Sequence, residues 1–136
     1  MNKILFLLVL MTSTTVFACP NLAGEYECYD EEQGQYISTI TQTGSGTSTV
    51  YTSTEFGETS IIKADNKWKV IDGLKTKAFC NGQTLNINME GSDPNMGSFK
   101  ASVKISIDSN NEIITEGSMT IGGQTYPAET ESCRRL

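Results

Sequence analysis

The chain is 136 residues long, with 16 acidic against 10 basic side chains, a net charge of −6 and no histidine. An acidic surface repels phosphate backbones, so nucleic-acid binding is disfavoured. The absence of histidine removes the commonest general base and the commonest transition-metal ligand, and with them Ser-His-Asp and Cys-His chemistry.

At the N-terminus, Met1-Asn2-Lys3 is a short basic stretch, and Ile4 to Met11 is an unbroken apolar run. At about 1.5 Å of rise per residue that run falls far short of the about 30 Å of a bilayer core. Thr12 to Thr15 is polar, and Val16-Phe17-Ala18 puts a β-branched and a small residue at −3 and −1 of a cut after Ala18. Residues 1–18 therefore have the pattern of a signal peptide, leaving 19–136 as a single domain. Its removal takes only Lys3 from the charged set and moves the net charge to −7. No later segment is apolar for long enough to span a membrane, so the expectation is a periplasmic or secreted protein. Val16-Phe17-Ala18-Cys19 also resembles the lipobox of bacterial lipoproteins, which implies an alternative: an outer-membrane lipoprotein anchored through Cys19. The even set Cys19, Cys28, Cys80 and Cys133 favours plain cleavage, because two disulfides satisfy all four thiols in an oxidising compartment.

From there on the chain alternates with the period of strands. Weak alternations run over Gly24 to Asp30, Gln35 to Gln42, Thr47 to Thr54, Thr59 to Ala64, Lys67 to Ile71 and Thr76 to Cys80. Leu85, Ile87 and Met89 then alternate with Asn86, Asn88 and Glu90. In the clearest run, Phe99, Ala101, Val103, Ile105 and Ile107 alternate with polar neighbours. Glu112 to Ile121 and Gln124 to Glu131 complete the set. Short turn signals separate the runs: Gln33-Gly34, Gly44-Ser45-Gly46, Phe56-Gly57, Asp65-Asn66, Asp72-Gly73, Asn81-Gly82, Ser109-Asn110-Asn111 and Gly122-Gly123. Asp72-Gly73 and Asn81-Gly82 suit tight hairpins, because these residues tolerate positive φ. Gly91 to Gly97 is expected to be the longest loop. The fold class predicted is all-β: a single antiparallel meander of about eight to ten strands that closes into a small barrel and so removes its exposed edges. A β-sandwich is the alternative.

Leu22-Ala23-Gly24-Glu25-Tyr26, opening the first strand, resembles the start of lipocalin-like barrels, with Tyr26 where that family has the tryptophan of Gly-x-Trp. The resemblance implies a cup that holds a small apolar ligand among inward side chains, and it makes Tyr26 a candidate binding residue; with so short a chain spread over many strands, the expectation from the residues themselves is that these side chains simply fill the barrel. Tyr26-Glu27-Cys28 and the Gly44-Ser45-Gly46 loop are similar to parts of the periplasmic inhibitors of c-type lysozymes. That likeness implies Ser45 as the residue entering an enzyme's cleft, and the acidic balance is compatible with a basic protein partner. Trp68, between Lys67 and Lys69, is a third candidate binding residue, as a rim aromatic or a stacking platform.

Other constellations have blander explanations. Asp108, Asn110 and Glu112 have alternate spacing but lack the glycine and downstream glutamate of a calcium loop, so a polar turn is expected. Glu90 and Asp93 are the pair a carboxylate-based hydrolase would use. The cysteines contain no Cys-x-x-Cys pair, so no metal and no cofactor is expected. Topology suggests Cys19–Cys133 and Cys28–Cys80 as the disulfides, since in a closed meander the last strand lies antiparallel beside the first. The leading functional expectation is a noncatalytic binding or interaction protein of the bacterial cell envelope. The alternatives are an inhibitor of a basic secreted enzyme and a carboxylate-based hydrolase.

Overall fold

The computed structural model describes residues 18–136. The expected signal segment up to residue 17 lies outside the described residues. Eleven strands are found: β1 (Gly24–Asp30), β2 (Gly34–Thr43), β3 (Val50–Glu55), β4 (Glu58–Lys63), β5 (Lys69–Ile71), β6 (Leu74–Asn81), β7 (Thr84–Asp93), β8 (Gly97–Ile107), β9 (Ile113–Ile121), β10 (Gln124–Pro127) and β11 (Glu131–Arg135). All pair antiparallel in the order β4-β3-β2-β1-β11-β9-β8-β7-β6-β5, with β10 on β9.

The turns follow from positive-φ residues. Phe56-Gly57, Asp72-Gly73 and Gly122-Gly123 each place both central residues at positive φ, as two-residue type I′ hairpins require. At the β6–β7 hairpin the outermost pair is Asn81 with Thr84, so the central residues are Gly82 and Gln83, one position beyond the expected Asn81-Gly82. The expected long loop is shorter than foreseen. Strands β7 and β8 pair out to Asp93 and Gly97, because Asp93 Oδ1 accepts from the amides of Asn95 and Met96 and Gly97 takes φ 78°. The single run expected over Gln124 to Glu131 is two strands. Pro127 has no amide to continue the ladder, and the Ala128 amide turns to the Gly117 carbonyl.

The sheet folds over so that its two halves face each other. Tyr51 on β3 packs with Ala78 on β6 and Leu85 and Ile87 on β7, together with Leu22 and Ala64. Tyr26, Cys28 and Ile113 form a second buried cluster, and Ile40, Ile105 and Ile107 pack against both. The expected closure by hydrogen bonds does not occur: β4 and β5 are the two ends of the ladder. Residues 64–68 fill the gap instead. Ala64 is buried and its amide donates to the Thr49 carbonyl (2.9 Å), and the Asn66 amide donates to the Ala78 carbonyl (2.9 Å). The connecting segment thus takes the place that a β4–β6 ladder would occupy.

The first and last described strands do lie side by side, with Tyr26 opposite Arg135. The disulfides nevertheless exchange partners relative to expectation: Cys28 bonds Cys133 and Cys19 bonds Cys80. Cys133 is the middle residue of β11, and the register that sets Tyr26 opposite Arg135 and Glu27 opposite Arg134 carries it opposite Cys28 on β1. Cys19 precedes β1 by five residues and reaches across to β6.

Candidate functional site

Residues 18–23 cross one end of the folded sheet. Pro20 and Leu22 are buried, the Tyr51 hydroxyl donates to the Pro20 carbonyl (2.7 Å), and the Leu22 amide donates to Gln42 Oε1 (3.0 Å). The Tyr26 hydroxyl donates to the Leu22 carbonyl (2.9 Å). Arg135 Nη2 donates to Tyr26 Oη (2.7 Å) and to the Ala23 carbonyl (3.1 Å), and its guanidinium lies 5.3 Å from the Tyr26 ring centroid. This end is therefore closed.

Between the two halves lies a cavity of about 190 Å³. Its deep part is apolar, formed by Leu22, Ile40, Tyr51, Leu85, Ile105 and Ile113, several of them fully buried. Strand alternation then brings Tyr36, Ser38, Ser53 and Glu55 to the same inner face. Thr115 and Glu131 complete the lining from β9 and β11. Ser38 Oγ donates to Glu55 Oε1 at 2.6 Å, and the Tyr36 ring stacks on Phe56 at 4.7 Å between centroids. Glu131 is exposed and Glu55 half-buried, so the cavity opens on this side. Burial, and then the negative charges of Glu55, Glu131 and Asp30, raise the Tyr36 hydroxyl above its ordinary range. Burial alone pushes Tyr51, at the closed end, up to about 12. The cavity is thus apolar at its floor and acidic at its opening.

The three residues expected to bind are not brought together. Tyr26 lines the cavity, but its hydroxyl is held by Leu22 and Arg135, so its contribution is the ring alone. Ser45 is exposed in a loop that curls into a 3-10 turn over Gly46–Ser48, beside an open cleft of about 580 Å³ that includes Phe79 and Asn81. Trp68 lies on the outer surface, with the ammonium groups of Lys75 and Lys77 each 5.0 Å from its ring centroid. Strand alternation turns Glu90 and Asp93 to opposite faces of β7. Glu90 ion-pairs with Lys75 (3.9 Å) and Asp93 caps the β7–β8 turn, so they do not form a facing pair. Asp108 Oδ1 accepts from the amides of Asn110 and Glu112, the polar turn expected there.

Sequence reasoning missed Tyr36, Ser38, Glu55 and Glu131. The alternation over Gln35 to Gln42 already placed Tyr36, Ser38 and Ile40 on one face; nothing local signalled that Glu55 and Glu131 would join them. Among the described residues no group of three or more cysteine, aspartate or glutamate side chains is arranged to hold a metal ion. Nor does any described helix have the length and apolarity to cross a membrane.

No protein-family model matches the chain, and no curated protein matches it either. Among solved structures it is similar to one of a point mutant of the REP1-NXSQ fatty acid transporter, with a TM-score of 0.52 and 11% identity. The match covers 85% of this chain and 98% of that one. At that identity the two share a fold: an all-β scaffold of the kind used by a fatty acid transporter.

Proposed function

We propose that the protein is a noncatalytic carrier of lipocalin-like build that works outside the cytoplasm and holds a small ligand in the cavity between the two halves of its sheet. One observation carries this reading: a cavity with an apolar floor, closed at one end by residues 18–23 and open beside Glu131. Its size sets the scale of the ligand. A cavity of about 150 Å³ lined by aliphatic and aromatic side chains accepts benzene, whereas drug-sized ligands need about 300–1,000 Å³. The space here suits one ring or a short branched chain. Two disulfides fit an oxidising compartment.

The test is calorimetric titration of the disulfide-intact protein with small neutral aromatics, beside the variant Ser53→Trp, which fills the cavity from its wall. Saturable binding by the parent and none by S53W is expected. Absence of binding by the parent to any ring-sized neutral or charged probe would remove the carrier reading. A second reading, inhibition of a basic secreted enzyme such as a c-type lysozyme, is favoured by the exposure of Ser45 beside an open cleft. It requires that the protein slow lysozyme and that Ser45→Trp abolish the effect.

A further inference from the structure

We propose, building on the carrier reading, that the ligand of the interior cavity is a small apolar amine, its ring or chain on the Leu22–Ile40–Ile105 floor and its ammonium between Glu55 and Glu131. The charge inventory of the lining carries the argument. Glu55 and Glu131 line the cavity, and no lysine or arginine does. Arg135, opposite Tyr26 on the neighbouring strand, is placed at the closed end, where its Nη2 donates to Tyr26 Oη and the Ala23 carbonyl.

Glu131 also lines a second, neighbouring cleft, which adds Asp30, Glu31, Glu32 and Glu129 and again contains no lysine or arginine. These acids come from the β1–β2 turn and from the segment before β11, two parts of the chain far apart in sequence that the β1–β11 pairing brings together. The fold is shared with a fatty acid transporter, yet a carboxylate entering here would meet only like charge. The same field draws in a cation and orients it, apolar end first.

Geometry adds a second preference. Tyr36 lines the cavity in the same set as the two carboxylates, its ring packed at a tilt against Phe56 with centroids 4.7 Å apart. A cation near an aromatic face is attracted by the ring quadrupole. Glu55 is half-buried and fixed by the hydroxyl of Ser38, so one oxygen stays free to accept from an ammonium without first giving up an intramolecular bond. Ser53 and Thr115 supply further hydroxyls in the lining. An ammonium with three donors suits this set, whereas a carboxylate, which only accepts, does not.

The experiment titrates the disulfide-intact protein with three probes that share a phenyl ring: 2-phenylethylamine, 3-phenylpropionate and 2-phenylethanol. The amine is expected to bind at least about tenfold tighter than the carboxylate, a preference that shrinks as salt screens the partly exposed charges. Glu131→Gln, at an exposed position that does not threaten folding, and Glu55→Gln, which retains an acceptor for Ser38, are each expected to lower amine affinity several-fold and leave the alcohol unchanged. Equal or tighter binding of the carboxylate or the alcohol overturns the amine assignment while leaving the carrier reading in place. An amine preference that survives in both variants overturns the role given to these two carboxylates. Failure of all three probes to bind overturns the carrier reading itself.

Discussion

Two tyrosines carry the polar accounting of the closed end. Tyr26 is fully buried, and its hydroxyl both donates to the Leu22 carbonyl and accepts from Arg135. Tyr26→Phe leaves that carbonyl and one guanidinium N–H without partners, which should cost about 1–3 kcal/mol. Urea unfolding should show a lower midpoint with an unchanged slope. Gly24 sits against the same pair: a Cβ there would lie 3.4 Å from both Arg135 Nε and the Tyr26 ring. Tyr51 gives a pH signature. Its folded pKa is raised from 10.0 to about 12, so the neutral phenol is favoured in the folded state. The stability it contributes is full below pH 10, where the unfolded chain is also neutral, and is lost as pH rises towards about 12. Ultraviolet titration of phenolate should show a late component near pH 12 that is missing in Tyr51→Phe; a component that persists in that variant would assign it elsewhere.

At the scale of elements, one cross-link ties the segment before β1 to β6, and the other ties β11 to its paired neighbour β1. The bonds span 61 and 105 residues of sequence. In the chain-entropy model such loops are worth about 4 and about 5 kcal/mol taken singly, and less together because they overlap. Domains of this size are stable by about 5–15 kcal/mol, so full reduction should lower the melting temperature by many degrees or unfold the protein. Peptide mapping under non-reducing conditions should recover Cys19 with Cys80 and Cys28 with Cys133. Recovery of Cys19 with Cys133, the pairing expected from the sequence, would mean that β11 pairs with β1 in a different register. The N-terminal segment depends on the first of these bonds. Without it, residues 18–23 would be held chiefly by Leu22 burial and the hydrogen bonds from Tyr26 and Tyr51.

Across the whole molecule, the ladder has two free ends, and its stability should be graded accordingly. Strand β8 is flanked on both sides by β7 and β9, whereas β4 and β5 each pair on one side only. Hydrogen exchange should find β8 amides among the slowest and the outward amides of β4 among the fastest of the strand amides. Uniform protection around the sheet would indicate a closed ladder. Ile61 on β4 and Val70 on β5 are 63% and 75% exposed, so the two ends also carry exposed apolar surface. Lys63 and Lys69 flank these residues and act against edge-to-edge pairing with a second copy.

What the sequence determined by itself was local. Period-two alternation and β-branched composition located nearly every strand, because each depends only on residues two apart on one pleated face. Asp72-Gly73, Phe56-Gly57 and Gly122-Gly123 marked their turns because positive φ is a property of single residues. The even cysteine set foretold two disulfides but not their partners. Pairing, the unclosed seam and the cavity were decided only in tertiary structure. Each rests on the register between strands far apart in the chain: the β1–β11 register decides that Cys133 faces Cys28, and the β1–β11 and β9–β11 ladders together bring Glu131 into one lining with Tyr36 and Glu55. Local propensity is silent on such registers, since they are set by which faces of distant strands bury the most apolar surface together.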